Sequence, residues 1–140
     1  MSKIEKKKKK GDVQTHYPQP MARKMTVYEI AEVAHEVNRE YCRAIGDNSQ
    51  KPWDDTPVWQ VQSACAGVRF HLANPDAGPE ASHESWLAQK EADGWIFGKK
   101  KNEELQTHPC MVPFNKLKKD QKAKDYLFRG IVHALKKFYT

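Results

Sequence analysis

The chain has 140 residues, a formal net charge of +6 at pH 7 and three cysteines. That length allows one domain with a modest core. The cysteines Cys42, Cys65 and Cys110 are odd in number and form no C-x-x-C pair, so they suit reduced thiols in the cytoplasm and not the disulfide framework of a small secreted protein. No apolar run approaches the roughly 20 residues of a membrane span. The N-terminal lysines lead into no apolar signal segment, and a cytoplasmic protein without a membrane partner is expected.

The positive charge suggests nucleic acid until its distribution is read. Residues 1–11 hold six lysines and one glutamate, which leaves +1 for the rest. Residues 29–93 have five Lys/Arg against twelve Asp/Glu, and residues 99–124 have eight against three. The folded part is therefore bipolar, and nucleic acid is expected at most weakly, through the tail.

Residues 1–22 read as a disordered, Lys-rich tail, because so few apolar side chains cannot offset the entropy of ordering. Residues 23–140 read as a single domain opened by an extra helix. Thr26 followed by Glu29 is a capping-box signature, and Gly46 closes the helix Thr26–Ile45. Its apolar stripe is Ile30, Ala34, Val37, Tyr41 and Ala44 or Ile45, opposite an acidic face of Glu29, Glu32, Glu36 and Glu40. Asn38, Arg39 and Tyr41 could reach a ligand from this helix; the plainer alternative makes them core and solvated face.

Thr56 is expected to cap a second helix with Pro57 at its first position. Val58, Val61, Cys65, Val68 and Leu72 form its stripe, widened by Trp59, Ala66 and Phe70. A third helix starts at Pro79 and stops at Gly94. Glu80, His83, Trp86 and Lys90 recur on it at three- and four-residue spacing and share a face. Trp95–Phe97 reads as a strand, and Met111–Phe114, held extended by its prolines, is the segment that could pair with it. The polar run Lys99–Thr107 between them reads as a mobile loop. A last helix runs from Lys118 or Lys119 toward Phe138, with Tyr126 or Leu127, Gly130 or Ile131, and Ala134 or Leu135 on its stripe; Gly130 is placed to admit a close neighbour. The fold class is mainly α: about four helices with a short two-stranded or extended β element.

The pattern Trp86, Lys90, Gly94-Trp95, Gly98, His108-Pro109-Cys110, Val112-Pro113-Phe114 and Leu117 resembles the RyR domain, the repeat of ryanodine receptors. The resemblance runs from about Val58 to Phe138, and the helix before it is similar to the leading helix of single-copy bacterial and phage versions. In the receptors, paired repeats hold adenine nucleotide in the crevice between them. The resemblance places His83, Trp86 and Lys90 at that crevice and Trp95 in packing. Since one repeat is present, it implies a homodimer that rebuilds the crevice about a twofold axis, or cover by the helix Thr26–Ile45, or no pocket.

Enzyme chemistry is not expected. No G-x-S-x-G elbow, Walker-type loop or G-x-G-x-x-G fingerprint occurs. No ligand spacing for a metal occurs either; neither metal nor cofactor is expected, with His108 read as a structural histidine and Cys110 as a buried apolar group. What remains is binding. An indole beside an imidazole and an ammonium suits a flat, anionic, heteroaromatic guest, although the same three residues could be core and rim. The expected function is non-enzymatic binding of an adenine nucleotide, ADP-ribose or cyclic nucleotide at His83, Trp86 and Lys90, with Glu80, Asn38, Arg39 and Tyr41 nearby. Sequestering a signalling molecule in phage–host conflict is its expected use. The alternative is a protein-interaction module with no small ligand.

Overall fold

The computed structural model describes residues 23–139, and the expected disordered tail lies outside them. Four helices form the body: α1 (Val27–Ala44), α2 (Val58–Ala73), α3 (Pro79–Ala92) and α4 (Lys119–Leu135). Two-residue strands, β1 (Ile96–Phe97) and β2 (Thr107–His108), pair between α3 and α4. The chain is mainly α with a small β element.

Local sequence explains the helix ends. Thr26 Oγ accepts from the Glu29 amide at 3.1 Å, and the Glu29 carboxylate accepts from the Thr26 amide at 3.0 Å, closing the capping box of α1. Gly46 follows in the left-handed region at φ 92°, with its amide on Arg43 O and the Asp47 amide on Cys42 O. That pair of bonds is a Schellman stop. Pro79 opens α3 and Gly94, also at φ 92°, closes it by the same device. Thr56 does not cap α2, which starts at Val58 behind Pro57. Its hydroxyl instead donates to Pro52 O at 2.9 Å, finishing the short 3-10 helix Trp53–Asp55.

Packing differs from the sequence stripes by a rotation. The apolar core joins Ile30 and Ala31 of α1, Trp53, Cys65 and Val68 of α2, and Val132 of α4. Val37 and Val58, expected inside, are exposed, and of the alternatives Tyr126 and Leu127 it is Tyr126 that is exposed. A Cβ at Gly130 would meet nothing, whereas one at Gly67 would lie 3.0 Å from Phe128 Cζ. The close approach of α2 and α4 is therefore made at Gly67, not at Gly130. Arg129 of α4 donates to Ala77 O and ties down the α2–α3 turn.

The strand pair also differs from expectation. β1 runs parallel to β2, with Ile96 opposite Thr107 and Phe97 opposite His108, while Phe114–Lys116 is a 3-10 helix. With Pro109 just before it and Pro113 inside it, the 111–114 segment has turn geometry and few free donors for a ladder. The polar run before β2 is not an open loop. Asn102 and Thr107 exchange both backbone bonds at 3.0 Å, and Thr107 Oγ1 donates to Lys100 O at 2.9 Å. A side chain at Gly98 would collide with Thr107, so only glycine allows this approach.

Candidate functional site

Helix α3 sets the site. His83 and Lys90 are 4% and 5% exposed, and Trp86 between them is half-buried. His83 Nε2 lies 2.6 Å from Val112 O; a carbonyl can only accept, so this nitrogen carries the proton. His83 Nδ1 faces Asp125 Oδ2 at 4.0 Å, beyond hydrogen-bond reach. The Trp86 indole stacks on the His83 ring at 5.5 Å and meets the His108 ring edge-on at 5.0 Å. It is flanked by imidazoles, not enclosed by aliphatic side chains, and a hollow lies beside it.

Lys90 occupies an unusual position for a cation. The Schellman stop bonds the Trp95 amide to Lys90 O at 2.9 Å and swings Trp95 back over its own helix. Lys90 Nζ sits 4.4 Å from the Trp95 ring centroid and 4.0 Å from that of Trp59 on α2. Among the described residues no carboxylate lies within ion-pair distance of it. Burial, and then the Lys101 charge, pull its amine below the usual lysine range. The two indole faces offset part of that cost through cation–π attraction.

The hollow is a cavity of about 300 Å³ between the four helices. Phe70, Trp86 and Phe128 give it flat apolar walls; Lys90, Lys101 and Lys124 give it three positive charges. Its carboxyl, Asp125, is pushed up to about 7 by burial. His108, also in the lining, is pulled down to about 4, by burial first and then by neighbouring lysines. Near neutral pH the imidazole is uncharged and the carboxyl is partly protonated, which leaves the lysines dominant. Two atoms of lining residues, Asn38 Oδ1 and His71 Nδ1, are buried without a hydrogen-bond partner among the described residues, as are Trp53 Nε1 and His133 Nε2 outside the lining. Each such atom costs roughly 1–3 kcal/mol until something satisfies it.

Of the residues expected at a ligand, His83, Trp86, Lys90 and Asn38 line this cavity. Glu80, Arg39 and Tyr41 do not. Glu80 is exposed in the first turn of α3. Arg39 pairs with Glu36 at 2.9 Å. Tyr41 donates its hydroxyl to Asp120 O at 2.8 Å, fastening α1 to the start of α4. Trp59, His71, Lys124, Asp125 and Phe128 line the cavity and were not expected there. A signal existed for some of them: Gln121, Asp125, Phe128 and Val132 share one face of α4, and Val68 and His71 share one of α2.

Three thiols are free, and Cys110, on the cavity wall, has its pKa raised by burial. His71 Nε2 and Ser82 Oγ approach to 2.5 Å, but His71 Nδ1 meets no carboxylate among the described residues. The imidazole thus lacks the group that orients a general base. No group of three His, Cys, Asp or Glu among the described residues is arranged for a metal, and no described helix is long and apolar enough to cross a membrane.

The family model of the RyR domain matches residues 74–138. The match starts at the end of α2, later than the Val58 expected from the motif pattern. It contains α3, the β pair and α4, while α1 and α2 complete the cavity from outside it. Over residues 74–138 the chain belongs to the RyR domain family.

Proposed function

We propose that the chain binds a small adenine-type nucleotide in the cavity between its helices and does so without catalysing a reaction on it. One observation supports this above others. Flat aromatic walls stand beside three lysines, and the carboxyl among them is partly neutralised by its own burial. Stacking of a base on such a wall contributes roughly 1–3 kcal/mol, and the lysines suit phosphate. About 300 Å³ is at the lower end of ligand pockets, which suits a mononucleotide body.

This reading selects the second of the three arrangements implied by the resemblance. Helix α1 supplies Asn38 and closes one side, as the leading helix of a single-copy protein would, so no second copy is needed to make a crevice. A guest so enclosed would be sequestered, which fits the capture of a signalling nucleotide, including in phage–host conflict. Titration calorimetry with AMP, ATP, cyclic AMP and ADP-ribose tests the reading. At least one should bind, Trp86→Ala should weaken it about 10- to 100-fold, and Trp86→Phe should recover most of the loss. Absence of heat with all four, or unchanged affinity in Trp86→Ala, would overturn it.

A protein-docking module is the second reading, and a separate observation favours it. Ile96, Phe97 and Leu105 are 62%, 55% and 71% exposed beside Lys99–Lys101. Clustered exposed apolar side chains of this kind mark interaction surfaces. A partner bound there would be lost in Phe97→Glu and kept in Trp86→Ala, the reverse of the nucleotide result.

A further inference from the structure

A second cavity, of about 500 Å³, adjoins the first, and the two share Trp59, Ser63, Gln89 and Lys90. Its chemistry is different. The first cavity is aromatic and cationic, whereas the second is lined by Asp93, Glu103, Gln62 and Gln106 together with Trp59 and Trp95. Lys90 Nζ, held between those two indoles, stands at the junction.

We infer that the second cavity takes a polyhydroxyl group, such as a sugar, carried on the phosphate of the nucleotide in the first. The inference rests on the nucleotide reading above. Three physical arguments narrow the occupant. Two carboxylates oppose a further anion, so the phosphates stop at Lys90. A cationic group is disfavoured because the indole faces that would hold it already hold the Lys90 ammonium. A neutral group rich in hydroxyls satisfies what is left: its O–H groups donate to Asp93 and Glu103, and its oxygens accept from the Gln62 and Gln106 amides. The guest is then flat at one end, anionic in the middle and polyhydroxylic at the other.

The test compares ADP with ADP-ribose by calorimetry, since the two differ by the terminal sugar. Wild type should bind ADP-ribose about tenfold or more tightly than ADP, as one or two charge-assisted hydrogen bonds would give. Asp93→Asn with Glu103→Gln should remove that advantage without weakening ADP, since the two carboxylates that oppose its phosphates are gone. Both positions are exposed, so the double variant should fold. Equal affinity of wild type for the two ligands, or an equal loss for both in the double variant, overturns the second subsite and leaves the nucleotide reading standing. If neither ligand binds while the protein remains folded, the nucleotide reading falls and the sugar subsite falls with it.

Discussion

The two buried regions of this molecule are built by the same helices and have opposite chemistry. In one, Cys65 and Val68 of α2 join Ile30, Ala31, Trp53 and Val132 in an interior without a charged group. In the other, His71, His83 and Lys90 are buried nearly as completely around a hollow. Burying apolar surface stabilises the fold by roughly 25 cal/mol per Å². Burying an unpaired ammonium, a carboxyl driven toward its neutral form and two unpartnered polar atoms opposes it. The first region accounts for why the chain folds. The second opposes folding, and the proposed guest would offset part of that cost.

The largest effect should come from breaking the first region. Ile30 is fully buried, and Ile30→Ala should cost about 2–5 kcal/mol in urea unfolding, from lost transfer energy and the cavity left behind. Ligand affinity, measured where the variant is still folded, should be unchanged. A variant that lost affinity in proportion to stability would show that the two regions are one unit.

The second prediction concerns pH and probes the polar region alone. Asp125 has its pKa raised from 3.8 to about 7, so the folded state holds a proton that the unfolded chain releases. Its contribution to stability is present below about pH 4 and is lost as pH rises through 7. His108 has its pKa lowered from 6.5 to about 4, so its contribution is present above pH 6.5 and lost as pH falls through 4. Between about pH 4 and 6.5 the two slopes oppose each other and nearly cancel. Asp125→Asn should unmask the histidine: relative to wild type, the variant should gain stability with rising pH by roughly 1.4 kcal/mol per unit. His108→Gln should give the opposite slope. Thermal melts of the three proteins from pH 4.5 to 6.5 measure this, and parallel curves would show that neither group titrates as its burial requires.

The difference between the regions also marks what could be read from the sequence. Helix ends were legible because their causes are local: Thr26 with Glu29, Gly46, Pro79 and Gly94 each act within a few residues. The α3 face was legible for the same reason, since helical spacing alone aligns His83, Trp86 and Lys90. Side-chain partners were not. Helix α4 carries overlapping apolar rows, and packing on α1 and α2 buries Val132 while Tyr126 stays 62% exposed. Trp59 meets Trp95 over Lys90 through a contact that spans more than thirty positions of the chain. The strand pairing is not legible because two-residue strands carry no periodicity, and the Asn102–Thr107 turn that sets their register has the composition of an open polar loop.

The smallest predicted effect isolates a residue that the sequence suggested for the ligand and the structure assigns to the seam between α1 and α4. Tyr41 donates to Asp120 O at 2.8 Å near the surface. Tyr41→Phe keeps the ring packing and removes that one bond, which at a partly solvated site should cost about 0.5–1 kcal/mol. Because the freed carbonyl lies at the start of α4, water can replace the lost donor, which holds the cost near the lower figure. Nucleotide affinity should stay within about twofold, since no atom of Tyr41 lines the cavity. A tenfold loss of affinity with little loss of stability would move Tyr41 into the site and place the opening of the cavity on the α1 side.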